Sequence, residues 1–127
     1  MNFILDTHTI IWFSENNPQL SDRAKDIISE ADNDCFVSFV SIWEMAIKIK
    51  LDKLILEIEL KDFIHELISR DFKLLEIKVD HLLNTMNLPF HHRDPFDRLL
   101  ISQSQTEDIP IITKDYHFNN YNIQVIW

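Results

Sequence analysis

Not one of the 127 residues is glycine. Glycine is what lets a backbone close tightly on phosphate, so a P-loop and a dinucleotide-binding G-x-G-x-x-G turn are both excluded. Turns fall instead to Asn, Asp and Pro, the other residues that tolerate or pre-set turn backbone. Asn16-Asn17-Pro18, Asp32-Asn33-Asp34 and Asn119-Asn120 are the turn candidates.

Between these turns, short apolar runs alternate with segments of helical periodicity. Phe3–Leu5, Phe36–Ser38, Leu74–Ile77, Ile111–Thr113 and Ile123–Ile126 read as strands. They are almost uniformly apolar, which predicts a parallel sheet covered on both faces. Helical stripes run through Ala24, Ile27, Ile28 and Ala31 (started by Ser21), and through Ile42, Met45, Ala46 and Ile49. Others run through Phe63, Leu67 and Ile68, and through Phe96, Leu99, Leu100 and Gln103, with a short helix expected over Asp80–Met86. Strand–helix alternation of this kind predicts an α/β layer fold. The chain reads as a single domain, residues 1–127, large enough to bury a core without metal or disulfide staples. Cys35, the only cysteine, lies in an apolar run and reads as core. No basic, apolar leader opens the sequence and no run approaches a membrane span, so a cytoplasmic location without membrane contact is expected.

The charge balance is acidic, 12 basic against 21 acidic side chains, a net −9. What matters is where the acids fall. Ligands of an open parallel sheet bind beyond the carboxyl ends of its strands. Asp6 closes the first strand, Ser41-Ile42-Trp43-Glu44 follows the second, Asp94-Pro95-Phe96-Asp97 starts the helix before the fourth, and Lys114-Asp115 follows the fourth. Each acid also has an ordinary structural use. Ser41-x-x-Glu44 spells a capping box; Asp6, Asp94 and Asp115 suit helix caps, and Asp97 suits a first helical turn. Convergence would change their meaning. Two carboxylates ~5 Å apart repel by roughly 3 kcal/mol at an effective dielectric near 20. Hard oxygen ligands without His or Cys partners suit Mg²⁺ or Mn²⁺, ions that activate water for phosphodiester hydrolysis.

Leu5-Asp6-Thr7-His8, Ser41-Ile42-Trp43-Glu44, His92-Arg93-Asp94-Pro95-Phe96-Asp97-Arg98-Leu99-Leu100-Ile101 and Ile112-Thr113-x-Asp115, in that order, resemble the PIN-domain nucleases, and more narrowly the VapC-like toxins of toxin–antitoxin pairs. The resemblance spans the whole chain. It implies a three-layer α/β/α fold with a parallel sheet of about five strands in the order 3-2-1-4-5. It implies a ribonuclease dependent on Mg²⁺ or Mn²⁺, with Asp6, Glu44, Asp97 and Asp115 as the acidic quartet and Asp94 as a further ligand or a cap. Thr113 would orient the site through its hydroxyl, with Ser41 in support. A small antitoxin and a homodimer are the implied protein partners. Where the family often carries glycine, this chain has Asp52 and, before the fourth strand, the region of Ile109.

Arg93, Arg98 and Lys114 flank the acids and are candidates for RNA phosphate contacts. Lys48, Lys50 and Lys53 are a second set of candidates for RNA phosphates, with Lys48 and Lys50 reading first as cations at a helix C-terminus, and His92 reads as a loop or hydrogen-bonding residue. Two other functions compete with the nuclease. One is a catalytically inactive PIN-like interaction or regulatory module, in which the acids only cap. The other is phospho-aspartate chemistry, which Asp6-Thr7-His8 disfavours because it lacks the second acid of a D-x-D signature.

Overall fold

The structure, a computed structural model, describes residues 1–127. Five strands form one sheet: β1 (Asn2–Leu5), β2 (Asp34–Ser38), β3 (Lys73–Leu75), β4 (Ile111–Ile112) and β5 (Val125–Ile126). All neighbours pair in parallel, in the order β3-β2-β1-β4-β5. Six helices cover it: α1 (Thr7–Ser14), α2 (Asp22–Ser29), α3 (Phe39–Lys50), α4 (Leu60–Ser69), α5 (Val79–Asn84) and α6 (Pro95–Glu107). This is the expected three-layer α/β/α arrangement. No helix is long and apolar enough to cross a membrane.

The strands are short and apolar because both faces are covered. Phe3, Leu5, Cys35, Val37 and Ile112 join Ile10, Ala24, Met45, Phe63 and Leu67 in the larger core. Ile4 and Ile111 face the opposite way and pack with Leu100, Ile101, Phe118 and Tyr121. Neighbouring residues of β1 thus feed different cores, as the two-residue period of a strand requires. Burial pushes the Cys35 thiol up to about 11, so it is core and no nucleophile. The buried His81 ties α5 to α6: its Nδ1 accepts from the Lys78 N–H and its Nε2 lies 2.8 Å from the Glu107 carboxylate.

Three helical stripes differ from expectation. The inner face of α3 is Val40, Ser41, Glu44 and Met45, and Ala46 is exposed. α2 stops at Ser29, leaving Ala31 outside, and Ile68 is half-exposed on α4. α3 departs because one side of it faces a polar cleft, so an apolar pattern cannot mark that side.

The missing glycines are replaced where the backbone turns left-handed. Asn16, Asp52, Asp71 and Asp108 have φ of 51°, 56°, 65° and 54°. Asn and Asp visit this region at lower cost than other side chains because they can bond locally to the backbone. Asn119-Asn120 instead ends a 3₁₀ helix, Tyr116–Asn120, with no left-handed residue. At Asp108 the N–H groups of Asp108 and Ile109 both return to the Ser104 carbonyl, closing α6. Asp108→Ala is expected to destabilise the protein by ~1 kcal/mol, the scale of a left-handed residue without local polar support. Asp108→Gly is expected to be at least as stable as the wild type. Urea unfolding of the two variants checks the pair.

Candidate active site

α1 and α3 each begin where a strand ends, and α6 starts on the same side because it runs back toward the amino end of β4. Their N-termini therefore gather at the carboxyl edge of the sheet, where helix dipoles favour negative charge. The acids sit on this edge.

Asp6 follows the central strand and caps α1. Its Oδ1 accepts the Thr7 N–H at 2.6 Å and its Oδ2 accepts the Thr113 hydroxyl at 2.7 Å. Thr113 Oγ1 in turn accepts the Asp115 N–H at 3.0 Å, so one hydroxyl ties two of the acids together. Asp115 caps the 3₁₀ helix through Oδ1.

Ser41-x-x-Glu44 is not a capping box. The cap of α3 is Ser38, whose hydroxyl accepts from Val40 N–H, so the helix starts three residues earlier than that spacing assumes. Glu44 instead lies buried in the second turn. The Thr7 hydroxyl donates to its Oε1 at 2.6 Å and stands 3.0 Å from Ser41 Oγ. Lys48, one turn on, pairs with Glu44 Oε2. Lys48 is thus not merely a cation at the end of a helix; it leans back into the cleft.

Asp94 caps α6, its Oδ1 accepting from the N–H groups of Phe96 and Asp97 at 2.9 and 3.0 Å. Asp97 occupies the first turn. Its Oδ2 lies 3.4 Å from His92 Nε2.

Asp6, Glu44, Asp94, Asp97 and Asp115 all line one cleft of about 470 Å³, with Lys48 and Lys114 as its cations and His8, Trp12 and Tyr116 as its rings. Burial, joined by the charges of Asp94, Asp6, Glu44 and Asp115, pushes the Asp97 carboxyl up to about 8. Burial also raises Asp6, with Glu44 adding to it, against the Thr113, His8 and Thr7 contacts that favour its charge. Lys48 is raised too, which for a cation favours the charged form. Burial alone would lower it, but the Glu44 bond and the charges of Glu44, Asp94 and Asp97 raise it. The cleft therefore holds more negative charge than its own lysines neutralise. No three His, Cys, Asp or Glu side chains stand at the spacing of a finished ligand set. Carboxylates that share no cation repel, and here Asp6 and Glu44 are held by hydroxyls and by Lys48. The donor chemistry itself, carboxylate oxygens alone, fits a hard divalent cation.

The basic residues divide. Lys114 is exposed at the cleft, 5.7 Å above the Trp12 ring. Arg93 is exposed beside Asp94. Arg98, expected at RNA, is buried: its guanidinium donates to the carbonyls of Pro89, Thr85 and Leu88 and lies 4.2 Å from the Phe90 ring centre. It fastens the loop before α6, because the Leu88 and Pro89 carbonyls lie outside any helix or strand that could satisfy them. Sequence reasoning missed Thr7, the pairing of Lys48 with Glu44 and the contact of His92 with Asp97. The Glu44-x-x-x-Lys48 spacing was a usable signal. Thr7 offered none, since its partner Glu44 is 37 residues away in the chain.

The family model of the PIN domain matches residues 3–124. No curated protein sequence matches the chain. Among solved structures it is similar to a chain of VapBC2 from Rickettsia felis bound to a DNA fragment from their promoter, with a TM-score of 0.74 and 13% identity over 99% of this chain and 98% of that one. A chain of DNA-bound VapBC from Salmonella typhimurium gives 0.70 and 16% over 99% and 97%. A chain of FitAcB from Neisseria gonorrhoeae gives 0.65 and 16% over 98% and 96%. At such identities the structures show a shared fold. With the family model spanning nearly every residue, from the first strand to the residue before the last strand, the chain belongs to the PIN-domain family.

Proposed function

We propose that residues 1–127 act as a single PIN domain that hydrolyses RNA phosphodiester bonds with a carboxylate-held Mg²⁺ or Mn²⁺, as the toxin of a toxin–antitoxin pair. The observation that carries this reading is the meeting of five acids from four chain segments in one cleft whose negative charge is not neutralised from within.

In this reading Asp6, Glu44, Asp97 and Asp115 hold the cation and Asp94 supports them. Such an ion would lower the pKa of bound water and stabilise the negative charge that builds on the phosphoryl oxygens. The protein's own share is positional. Thr113 fixes Asp6 against Asp115, and Thr7 with Ser41 fixes Glu44. Capping does not compete with ligation at Asp94 and Asp115, since each caps through Oδ1 and keeps Oδ2 free. Lys48 restrains Glu44 and offsets part of the acidic field. Lys114, with Trp12 beneath it, meets an RNA phosphate at the rim, and the exposed Arg93, next to Asp94 in the chain, extends that contact. The likeness to VapBC and FitAcB chains supports an antitoxin partner. Leu82, Leu83, Met86 and Phe90, all exposed, supply an apolar surface for a homodimer. The competing reading, an inactive interaction module, draws on the caps made by Asp6, Asp94 and Asp115 and on the unassembled ligand spacing.

Two experiments test the choice. Total cellular RNA with Mn²⁺ is expected to be cut by the wild type, to be left intact in EDTA, and to be left intact by folded Asp6→Asn; equal cleavage by that variant refutes the reading. The second concerns Asp97, whose carboxyl moves from 3.8 to about 8 on folding. Across that window the unfolded chain has released a proton that the folded chain keeps, so metal-free stability falls as pH rises. In EDTA, Asp97→Asn is therefore expected to melt above the wild type near pH 8 and with it near pH 4. Mn²⁺ is expected to raise the melting temperature of the wild type and not that of Asp97→Asn.

A further inference from the structure

His92 stands between a buried phenol and one of the cleft acids. Its backbone N–H donates to Tyr121 Oη at 3.2 Å, and its ring Nδ1 lies 2.9 Å from the same oxygen. Tyr121 is buried between His92 and the second core. A phenol has one proton to donate. The backbone N–H can only donate, so it takes a lone pair of Oη, and the phenolic proton, which meets no other acceptor, points to Nδ1 as its partner. In that arrangement Nδ1 is the acceptor and the ring proton is on Nε2. Nε2 is buried without a hydrogen-bond partner, and it faces Asp97 Oδ2 at 3.4 Å. The ring cannot turn freely, packed 5.8 Å from Phe118 and 5.3 Å from Tyr121 between centroids.

We propose that Tyr121 and His92 position Asp97: Tyr121 locks His92 as the Nε2–H form, and that N–H steadies Oδ2 of Asp97 so that the carboxylate addresses the cleft in one orientation. This rests on the reading of Asp97 as a cation ligand. The separation of 3.4 Å is just beyond a good hydrogen bond. A small turn of the Asp97 side chain would close it, and Nε2 has no other partner in reach. Oriented carboxylate ligands are themselves hydrogen-bonded, and losing the outer partner typically weakens metal binding or activity about 10–100-fold. His92 acts through Asp97 and is a positioning residue.

The test uses two variants that divide the ring's functions. Asn places an amide near Nδ1 and nothing at Nε2; Gln reaches the Nε2 position with an N–H donor. His92→Asn is expected to bind Mn²⁺ about 10–100-fold more weakly by calorimetry, with kcat for RNA cleavage falling on the same scale while KM holds. His92→Gln is expected to recover most of both. In metal-free protein with isotopically labelled histidine nitrogens, NMR is expected to show His92 protonated at Nε2, and Tyr121→Phe is expected to mix the two tautomers. Equal behaviour of Asn and Gln variants, or a proton on Nδ1 in the wild type, overturns the proposal. Wild-type protein that neither binds Mn²⁺ nor cuts RNA overturns both this and the nuclease reading. Wild-type protein that does both, matched by His92→Asn, overturns this one alone.

Discussion

Negative charge that the protein cannot neutralise by itself governs this architecture. Asp6 sits at the end of the central strand, buried, and three hydrogen-bonding groups near it serve carboxylates: the Thr7 amide, the Thr7 hydroxyl and the Thr113 hydroxyl. Around it the strand order brings Glu44 from β2's side and Asp115 from β4's side, while α6 delivers Asp97 from above the sheet. A parallel sheet makes this possible because every strand ends, and its following helix begins, on one edge. Helix dipoles on that edge favour anions, yet five acids exceed what dipoles and two lysines offset. Asp97 registers the excess.

Much of the fold was legible. Largely apolar runs located all five strands to within two residues at each end, because burial on both faces leaves few polar positions inside them; the polar strand starts Asn2, Asp34 and Lys73 were missed. Convergence of the acids followed from the rule that strand ends share an edge, and the strand order followed from the family resemblance. What stayed illegible has a common cause. Glu44 looked like half of a capping box because local spacing cannot reveal that Ser38 had already taken the cap. Arg98 looked like an RNA contact because its real partners are backbone carbonyls, which every residue has and no sequence displays. Tyr121 and His92 meet across 29 residues, and nothing in either neighbourhood announces the other.

The same residue types serve fold and site at once. Asp6, Asp94 and Asp115 each start a helix and each line the cleft. A cap holds a carboxylate at a set distance from a rigid element, which is also what a ligand requires. Fold and chemistry are therefore not alternatives at these positions, and a substitution at any of them touches both.

The four left-handed aspartate and asparagine positions have a wider consequence. A chain without glycine is stiffer when unfolded, since every residue carries a Cβ that narrows its backbone choices. Folding then forfeits less disorder along the whole length, while the opposing strain is confined to four places at the ends of helices. The molecule exchanges a few tense corners for a denatured ensemble with fewer conformations to return to.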